Sequence, residues 1–455
     1  MRRRLAGVVL LVLAARLAPA QRLTGEPAVD SAAVARAADG RAATARRAGD
    51  LERARDEAAR AAAAWPTQPA YALGWAAAAA RAADTAAVQR ALAQYASLGL
   101  GRDVRGDSLF APYLRAPGVE SLRRALEHNR RRRASSRVRA TLADSTFWPE
   151  GLDYDPRTGR FYVTSVRRGT VVELGPRGES RELWRPGEAL RGAALAARLD
   201  ASHQALWVTL SGMPQMEGHL PGDSAIGALV RVRLADGAVL RRWDLPVVQG
   251  GHALGDVVVT PRGDVFITDS NDPVLYRLRA GADSLEPIRH PLFRSLQGVA
   301  ATPDGRALYV ADYSHGLLRV DLATHAVARL EDAPHSTSLG CDGIAWVDGT
   351  LIAIQNGVVP ARVMRFVLDA SGRRITRAEV LDQNSALADE PTSIVVVGHD
   401  AVYVANSQWE KHDATGHRVP GTVLHSPILL ALPLPALNPL PAVLPSRGAR
   451  SRGRG

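Results

Sequence analysis

Between residues 143 and 432 the chain alternates short apolar runs with turn residues, a period that suits strands and not helices. Six segments share one pattern: "DYDPRTGRFYVTSV" from Asp153, "LDASHQALWVTLSG" from Leu199, "VTPRGDVFITDS" from Val259, "ATPDGRALYVADY" from Ala301, "AWVDGTLIAIQNG" from Ala345 and "VVGHDAVYVANSQW" from Val396. Each is an apolar strand, a turn rich in Gly, Asp or Pro, and a second strand with an aromatic or aliphatic centre. The centres fall at Tyr162, Trp207, Phe266, Tyr309, Ile352 and Tyr403, 43 to 59 residues apart. Most units continue into a third and fourth strand, as in "LLRVDLATHAVARL". Four antiparallel strands per unit of about 45 residues, six times over, predict a six-bladed β-propeller spanning 137–432. The last unit is short of an outer strand. "RVRATLAD", from Arg137, is placed to supply it and close the ring, which removes unpaired edges.

Ahead of the ring the period changes to that of helices. Over residues 28–129 the chain is alanine-rich, with Gly49-Asp50 and Ala83-Asp84 at turns 34 residues apart and Pro66 and Pro69 between helices. This small α-helical region resembles the tetratricopeptide repeat, which implies a docking surface for a peptide or protein partner; the plainer reading is a helical cap on the ring. A basic linker, 130–136, follows. The Pro- and Arg-rich tail, 433–455, cannot build a core and is expected to be disordered. The first 20 residues carry a basic start, an apolar run and an Ala-Pro-Ala site. They predict a signal peptide, export to the periplasm or medium, and no membrane span once it is removed. Cys341 is the one cysteine, so no disulfide can form within the chain.

Net charge is +11, which raises the question of nucleic acid. Residues 143–432 hold 28 basic and 34 acidic residues, so the excess lies in the leader, the helical part, the linker and the tail. A nucleic-acid groove needs clustered charge on a folded face, and the ring has none to offer.

In a propeller the first strand of each blade lines the channel, and the starts of these strands converge at one mouth. The corresponding residues are Glu150-Gly151, Arg191-Gly192, Gly255-Asp256, Gln297-Gly298, Asp342-Gly343 and Glu390-Pro391-Thr392. Glycine allows crowded backbones, and the residue beside it is polar in most blades. Convergent carboxylates repel each other unless a cation neutralises them. Carboxylate and amide oxygens without thiolates suit a hard ion, calcium before magnesium. Glu150, Gln297, Asp342 and Asp256 are the predicted metal residues. For each one alone, a capped turn or an ordinary Asp-Gly turn accounts for it as well.

"FWPEGLDYDPRTGRFYVTS", "LQGVAATPDGRALYVAD" and "CDGIAWVDGTLIAI" resemble the senescence-marker-protein/gluconolactonase (regucalcin-like) family. The resemblance covers about residues 148–432. It implies one calcium in the channel, held by a Glu, two Asn and an Asp, and hydrolysis of lactones or organophosphates. The Glu falls on Glu150 and the Asp on Asp342. The second Asn falls on Gln297, and the first on Gly255, with Asp256 retained beside it; Asp256 or a water then has to fill the gap. On this implication Asp342 is nucleophile or general base, and Asp256 the second candidate base.

Asp269, Asn271 and Asp312 end second strands and are expected to brace the neighbouring blade's loops. His252 and His219 are candidates to line a pocket, with loop surface as the plainer alternative. The long loops "SGMPQMEGHLPGDSAIG" and "SQWEKHDATGHRVPGT" are where specificity is expected, with Met213 and Trp409 as apolar walls. Two functions follow: a calcium-dependent hydrolase of a lactone or ester, or a non-catalytic propeller that recognises a sugar, peptide or protein. A quinone-dependent dehydrogenase is excluded, because the 8 tryptophans show no repeat per blade.

Overall fold

The protein's structure, a computed structural model, describes residues 31–436 apart from 104–105, 188–189, 201 and 203. The expected signal peptide and most of the tail lie outside these residues. No helix among the described residues is long and apolar enough to cross a membrane.

Six four-stranded antiparallel sheets form a propeller. Five blades are continuous in sequence, at 149–184, 193–244, 254–288, 296–329 and 344–383. The sixth takes three strands from 394–433, and its outer strand is Arg137–Thr141, paired with Ile428–Pro433. The ring therefore closes as the sequence predicts. Apolar side chains from facing blades interlock between the sheets; Phe266 and Leu275 of blade three, for example, pack against Val299 and Val310 of blade four.

Asp269 and Asp312 are buried braces, with a difference from expectation. Each holds the loop entering its own blade, not the neighbour's: Asp269 accepts from Ala253 N (3.1 Å) and Asp312 from Arg294 N (2.7 Å). Asn271 is exposed and its amide reaches Gly250 O at 3.4 Å. His252 lines no pocket. It is 1% exposed, with Nδ1 against Asp269 (2.5 Å) and Nε2 against Pro246 O (2.8 Å).

Two antiparallel helical hairpins precede the ring: α1 (Ser31–Arg47) with α2 (Leu51–Ala64), and α3 (Pro69–Arg81) with α4 (Thr85–Ser97). Asp50 and Asp84 accept the backbone N–H of Arg53 and Ala87, capping α2 and α4 at the turns the sequence marks. Alanines such as Ala61, Ala72, Ala76 and Ala79 are buried between the helices, where their small size permits close approach. α5 (Ala111–Leu114) and α6 (Glu120–His128) complete the region.

In each blade the inner strand runs away from the mouth and the second returns. Loops between strands two and three, and connections between blades, therefore lie on the mouth face. The helical region docks on such loops in blades four and five. Trp65 stacks on His315 with centroids 5.6 Å apart, and Thr67 donates to Asp332 at 2.8 Å. Burial, together with Arg36, Arg294 and Arg329, brings His315 down to about 4 against the pull of Asp312. A neutral ring can then accept from Arg36, 2.7 Å away. Val358 of blade five enters the helical core. The basic stretch after α6 is not a free solvated linker: Arg133 pairs with Gln383, whose amide also donates to Arg131 O at 2.7 Å.

Burial lowers the His252 pKa, but the Asp269 carboxylate and the Pro246 carbonyl outweigh it, and the net shift is upward. The stabilisation is therefore full below the ordinary histidine value and is lost as pH rises through the raised one. Replacing His252→Asn is expected to lower Tm by more at pH 6 than at pH 9; an equal loss at both would rule out an imidazolium in blade three.

Candidate functional site at the channel mouth

Inner strands of blades one to four each carry a β-bulge at the mouth, after Pro149, Ala194, Leu254 and Leu296. A bulge leaves two residues of one strand facing one of the other, and so aims side chains out of the ladder. In register, the bulged pairs are Glu150-Gly151, Leu195-Ala196, Gly255-Asp256 and Gln297-Gly298. Asp342-Gly343 and Thr392-Ser393 occupy the same place in blades five and six: Asp342 N bonds Ile354 O as Thr392 N bonds Val404 O. Blade two thus presents Leu195 and not Arg191, and blade six Thr392 and not Glu390.

The second residue of each pair meets the adjacent blade. A Cβ on Gly298 would lie 2.5 Å from Asp342 O, and one on Gly343 the same distance from Thr392 O. Small residues are required there. Asp256 stands in this second ring, one position on from Glu150, Gln297 and Asp342, and its environment differs from theirs. It accepts from Val257 N (2.8 Å) and Val299 N (3.0 Å), with Arg198 at 3.8 Å. Arg198 also donates to Asp153 at 3.1 Å and to Val257 O at 3.0 Å. This buried charge network separates the mouth from a cavity of about 320 Å3 at the far end of the channel, lined by Asp153, Arg198 and apolar inner-strand residues.

Glu150 and Asp342 are each held by one oxygen only. Glu150 Oε2 accepts the Trp409 indole N–H at 2.8 Å, and Asp342 Oδ2 accepts the Asn356 amide at 2.7 Å. Among the described residues Glu150 Oε1 and Asp342 Oδ1 have no protein donor. Asn356 Oδ1 is buried and unpartnered. The Gln297 amide donates to Ser295 Oγ at 3.4 Å, and its oxygen lies 3.5 Å from where a Cβ on Gly255 would stand. The longer amide of blade four thus leans over the position where blade three has no side chain. Burial, then Asp342's charge, raises Glu150 well above the usual carboxylate range. Burial also raises Asp342, and Asp256 adds to it.

Two insertions roof the mouth over blade one. Trp148 packs on Trp409 (centroids 5.0 Å) and stacks on His412 (3.8 Å), and Met213 joins the same cluster. Met213 and Trp409 thus pack into one apolar cluster beside the mouth, which plain loop packing accounts for as well as a pocket wall. His219 keeps a buried, unpartnered Nε2 in the blade-two insertion, apart from these contacts. Glu390 has a left-handed backbone (φ 58°), which costs a non-glycine residue about 1–3 kcal/mol. Burial pushes its carboxyl up to about 7 although Glu410 N donates to it.

Asn356 and Tyr313 complete the mouth and were not singled out in the sequence. Both sit just past the end of a second strand, where the position marked as structural in other blades distracts from them. The Asn-Gly pair of "LIAIQNG" was the available signal.

Among the described residues no three His, Cys, Asp or Glu side chains converge where a metal ion could sit. A cation held at the mouth would have only two carboxylates and amide oxygens to rest on. The donor set is all oxygen, with four oxygens lacking protein partners, which suits a hard cation.

The ring and its mouth define a six-bladed propeller with a half-buried acidic pair at one end of the channel. No family model matches the chain, and no curated protein matches it. Similar solved structures include the calcium-binding protein regucalcin from Agrobacterium tumefaciens, at 16% identity and TM-score 0.45, covering 66% of this chain and 98% of that one. A gluconolactonase from Xanthomonas campestris has 16% identity and TM-score 0.42, covering 66% and 95%. A virginiamycin B lyase from Staphylococcus aureus has 15% and 0.43, covering 58% and 79%. At such values the likeness carries no argument about chemistry.

Because Glu150 and Asp342 hold protons more tightly folded than unfolded, their contribution to stability is present below about pH 4 and lost as pH rises through the raised values. Metal-free protein is expected to lose stability between about pH 4 and 7. Asp342→Asn should recover about 1–3 kcal/mol of that loss at pH 7. Parallel pH–stability curves for the two proteins would show that the pair is not self-repelling.

Proposed function

We propose that the mouth binds one calcium ion and that the protein hydrolyses a lactone or related ester there. The observation that carries this is the half-buried pair Glu150 and Asp342, each with one free oxygen, beside the unpartnered Asn356 Oδ1. Glu150, Asp342, Gln297 and Asn356 would hold the ion; Asp256 has its oxygens engaged by backbone N–H groups and Arg198. Bound calcium supplies positive charge that polarises a carbonyl or phosphoryl oxygen.

The chain supplies the rest. Asn356 donates to Asp342 Oδ2 and so orients the carboxylate, which would act as base or nucleophile. Glu390, pushed up to about 7, can give or take a proton near neutral pH. Trp409 orients Glu150, and the Trp148–Trp409–Met213 roof excludes water from one side. Export from the cytoplasm is part of this proposal and rests on the leader sequence alone.

A second reading is a non-catalytic binding propeller, favoured by Leu195 and Gly255, which offer no ligand from blades two and three. Melting metal-stripped full-length protein with and without calcium tests the cation site. Calcium at about 100 times its dissociation constant adds about 2.7 kcal/mol. The shift should be absent in Glu150→Gln and Asp342→Asn. No shift at millimolar calcium would leave the binding reading, whereas a shift followed by turnover in a lactone and ester screen supports the hydrolase.

A further inference from the structure

Tyr313 stands at the lip of the mouth, in the loop after the second strand of blade four. Its backbone is pinned on both sides: Tyr313 N donates to Ser295 O at 2.8 Å, and Gly340 N donates to Tyr313 O at 2.9 Å. The ring lies over Gly357 of blade five. A Cβ there would fall 2.6 Å from the ring's Cζ and 2.7 Å from its hydroxyl, so only glycine leaves room for the phenol. The residue is 37% exposed, and its hydroxyl makes no hydrogen bond with the protein among the described residues. The groups whose charge reaches it are Asp342, Glu390, the Cys341 thiol and Glu410, and none of them is a cation.

Other side-chain donors at the mouth already carry bonds to the protein. Trp409 donates to Glu150, Asn356 to Asp342 and Pro391 O, and Gln297 to Ser295. The Tyr313 O–H is uncommitted. The helical region holds both walls of its slot. On one side Arg36 and Trp65 contact His315, and Gln68 donates to Ser314 O at 3.4 Å. On the other, Val358 is buried in the helical core and Val359 O accepts from Gly101 N at 3.0 Å.

We propose that Tyr313 donates a hydrogen bond to the carbonyl oxygen of a lactone or ester bound at the mouth, positioned for it by the docked helical region. The inference rests on the hydrolase reading above. As water adds to the carbonyl carbon and gives a proton to Asp342, the C=O π electrons move onto that oxygen and the O–H···O bond strengthens, its proton staying on the tyrosine; when the C=O re-forms, the ester C–O bond breaks and the leaving oxygen takes the proton from Asp342. The role asks for a donor fixed before the reaction, which the pinned loop and the Gly357 slot provide.

The test is steady-state hydrolysis of a panel of aliphatic and aromatic lactones and esters by full-length protein with calcium, wild type against Tyr313→Phe. The variant removes one oxygen and keeps the ring over Gly357. The expected result is a kcat about 100-fold lower with KM changed by far less. Tm, the calcium-induced shift and the pH at which activity rises should be unchanged. Wild-type turnover with full activity in Tyr313→Phe overturns the inference and leaves the hydrolase reading standing. An inert wild type removes both, and a lost calcium shift in the variant would assign Tyr313 to building the site instead.

Discussion

Six strands that start around one axis crowd their backbones at the mouth, and that crowding decides what each position can hold. At the second residue of each mouth pair the neighbouring backbone is close enough that a Cβ on Gly298 or Gly343 would collide with a carbonyl 2.5 Å away. On the inner strands side chains project freely only from the first residue, so what these strands offer the mouth is set by Glu150, Leu195, Gly255, Gln297, Asp342 and Thr392, and the rest of its chemistry comes from loops. Asp256 breaks the pattern in the second ring. It is accommodated because Val257, Val299 and Arg198 meet its carboxylate within the channel. A charge placed there without Arg198 would be buried and unpaired, a costly arrangement.

The same confinement brings carboxylates together in a place poor in water. Glu150 and Asp342 have one backbone-anchored neighbour each to orient them, and neither has an arginine. Elsewhere in the ring buried acids are neutralised directly: Glu173 by Arg160 and Arg181, Asp200 by Arg231. The contrast sets the two mouth acids apart from these neutralised ones. A protein that pairs its acids in most blades, and leaves two facing each other at the mouth, retains a local instability there that a ligand can relieve.

Much of the fold was legible because it is periodic. The strand–turn–strand pattern repeats six times, and the closing strand was visible as an orphan ahead of the first blade. Glu150, Gln297 and Asp342 were legible too, since each precedes a glycine at the same repeat position. Asp256 was grouped with them because bulge register cannot be read from one sequence: Gly255-Asp256 inverts the order of polar residue and glycine, and the polar residue moves one ring deeper. Blade two misled for a similar reason, since Arg191-Gly192 imitates the motif while the strand's bulge lies at Leu195-Ala196. His252 looked like loop surface because its partners, Asp269 and Pro246 O, lie 17 residues ahead and 6 behind. The side of the ring on which the helices dock depends on contacts such as Trp65 with His315, which no local pattern announces.

Gly255 and Gln297, which looked like two separate losses, lie beside each other. A shorter amide on blade four would stop short of the space that blade three leaves open. Glutamine, one methylene longer than asparagine, carries its oxygen to within 3.5 Å of the point where a Cβ of residue 255 would begin. Thr268 Oγ1 and Leu296 O border the same space at 3.5 and 3.6 Å. A single Cβ on residue 255 would meet all three atoms at ordinary contact distance, so the glycine is not forced on this position by sterics. Blade three offers no side chain at the mouth, and the amide oxygen of blade four lies close to the place where one would start.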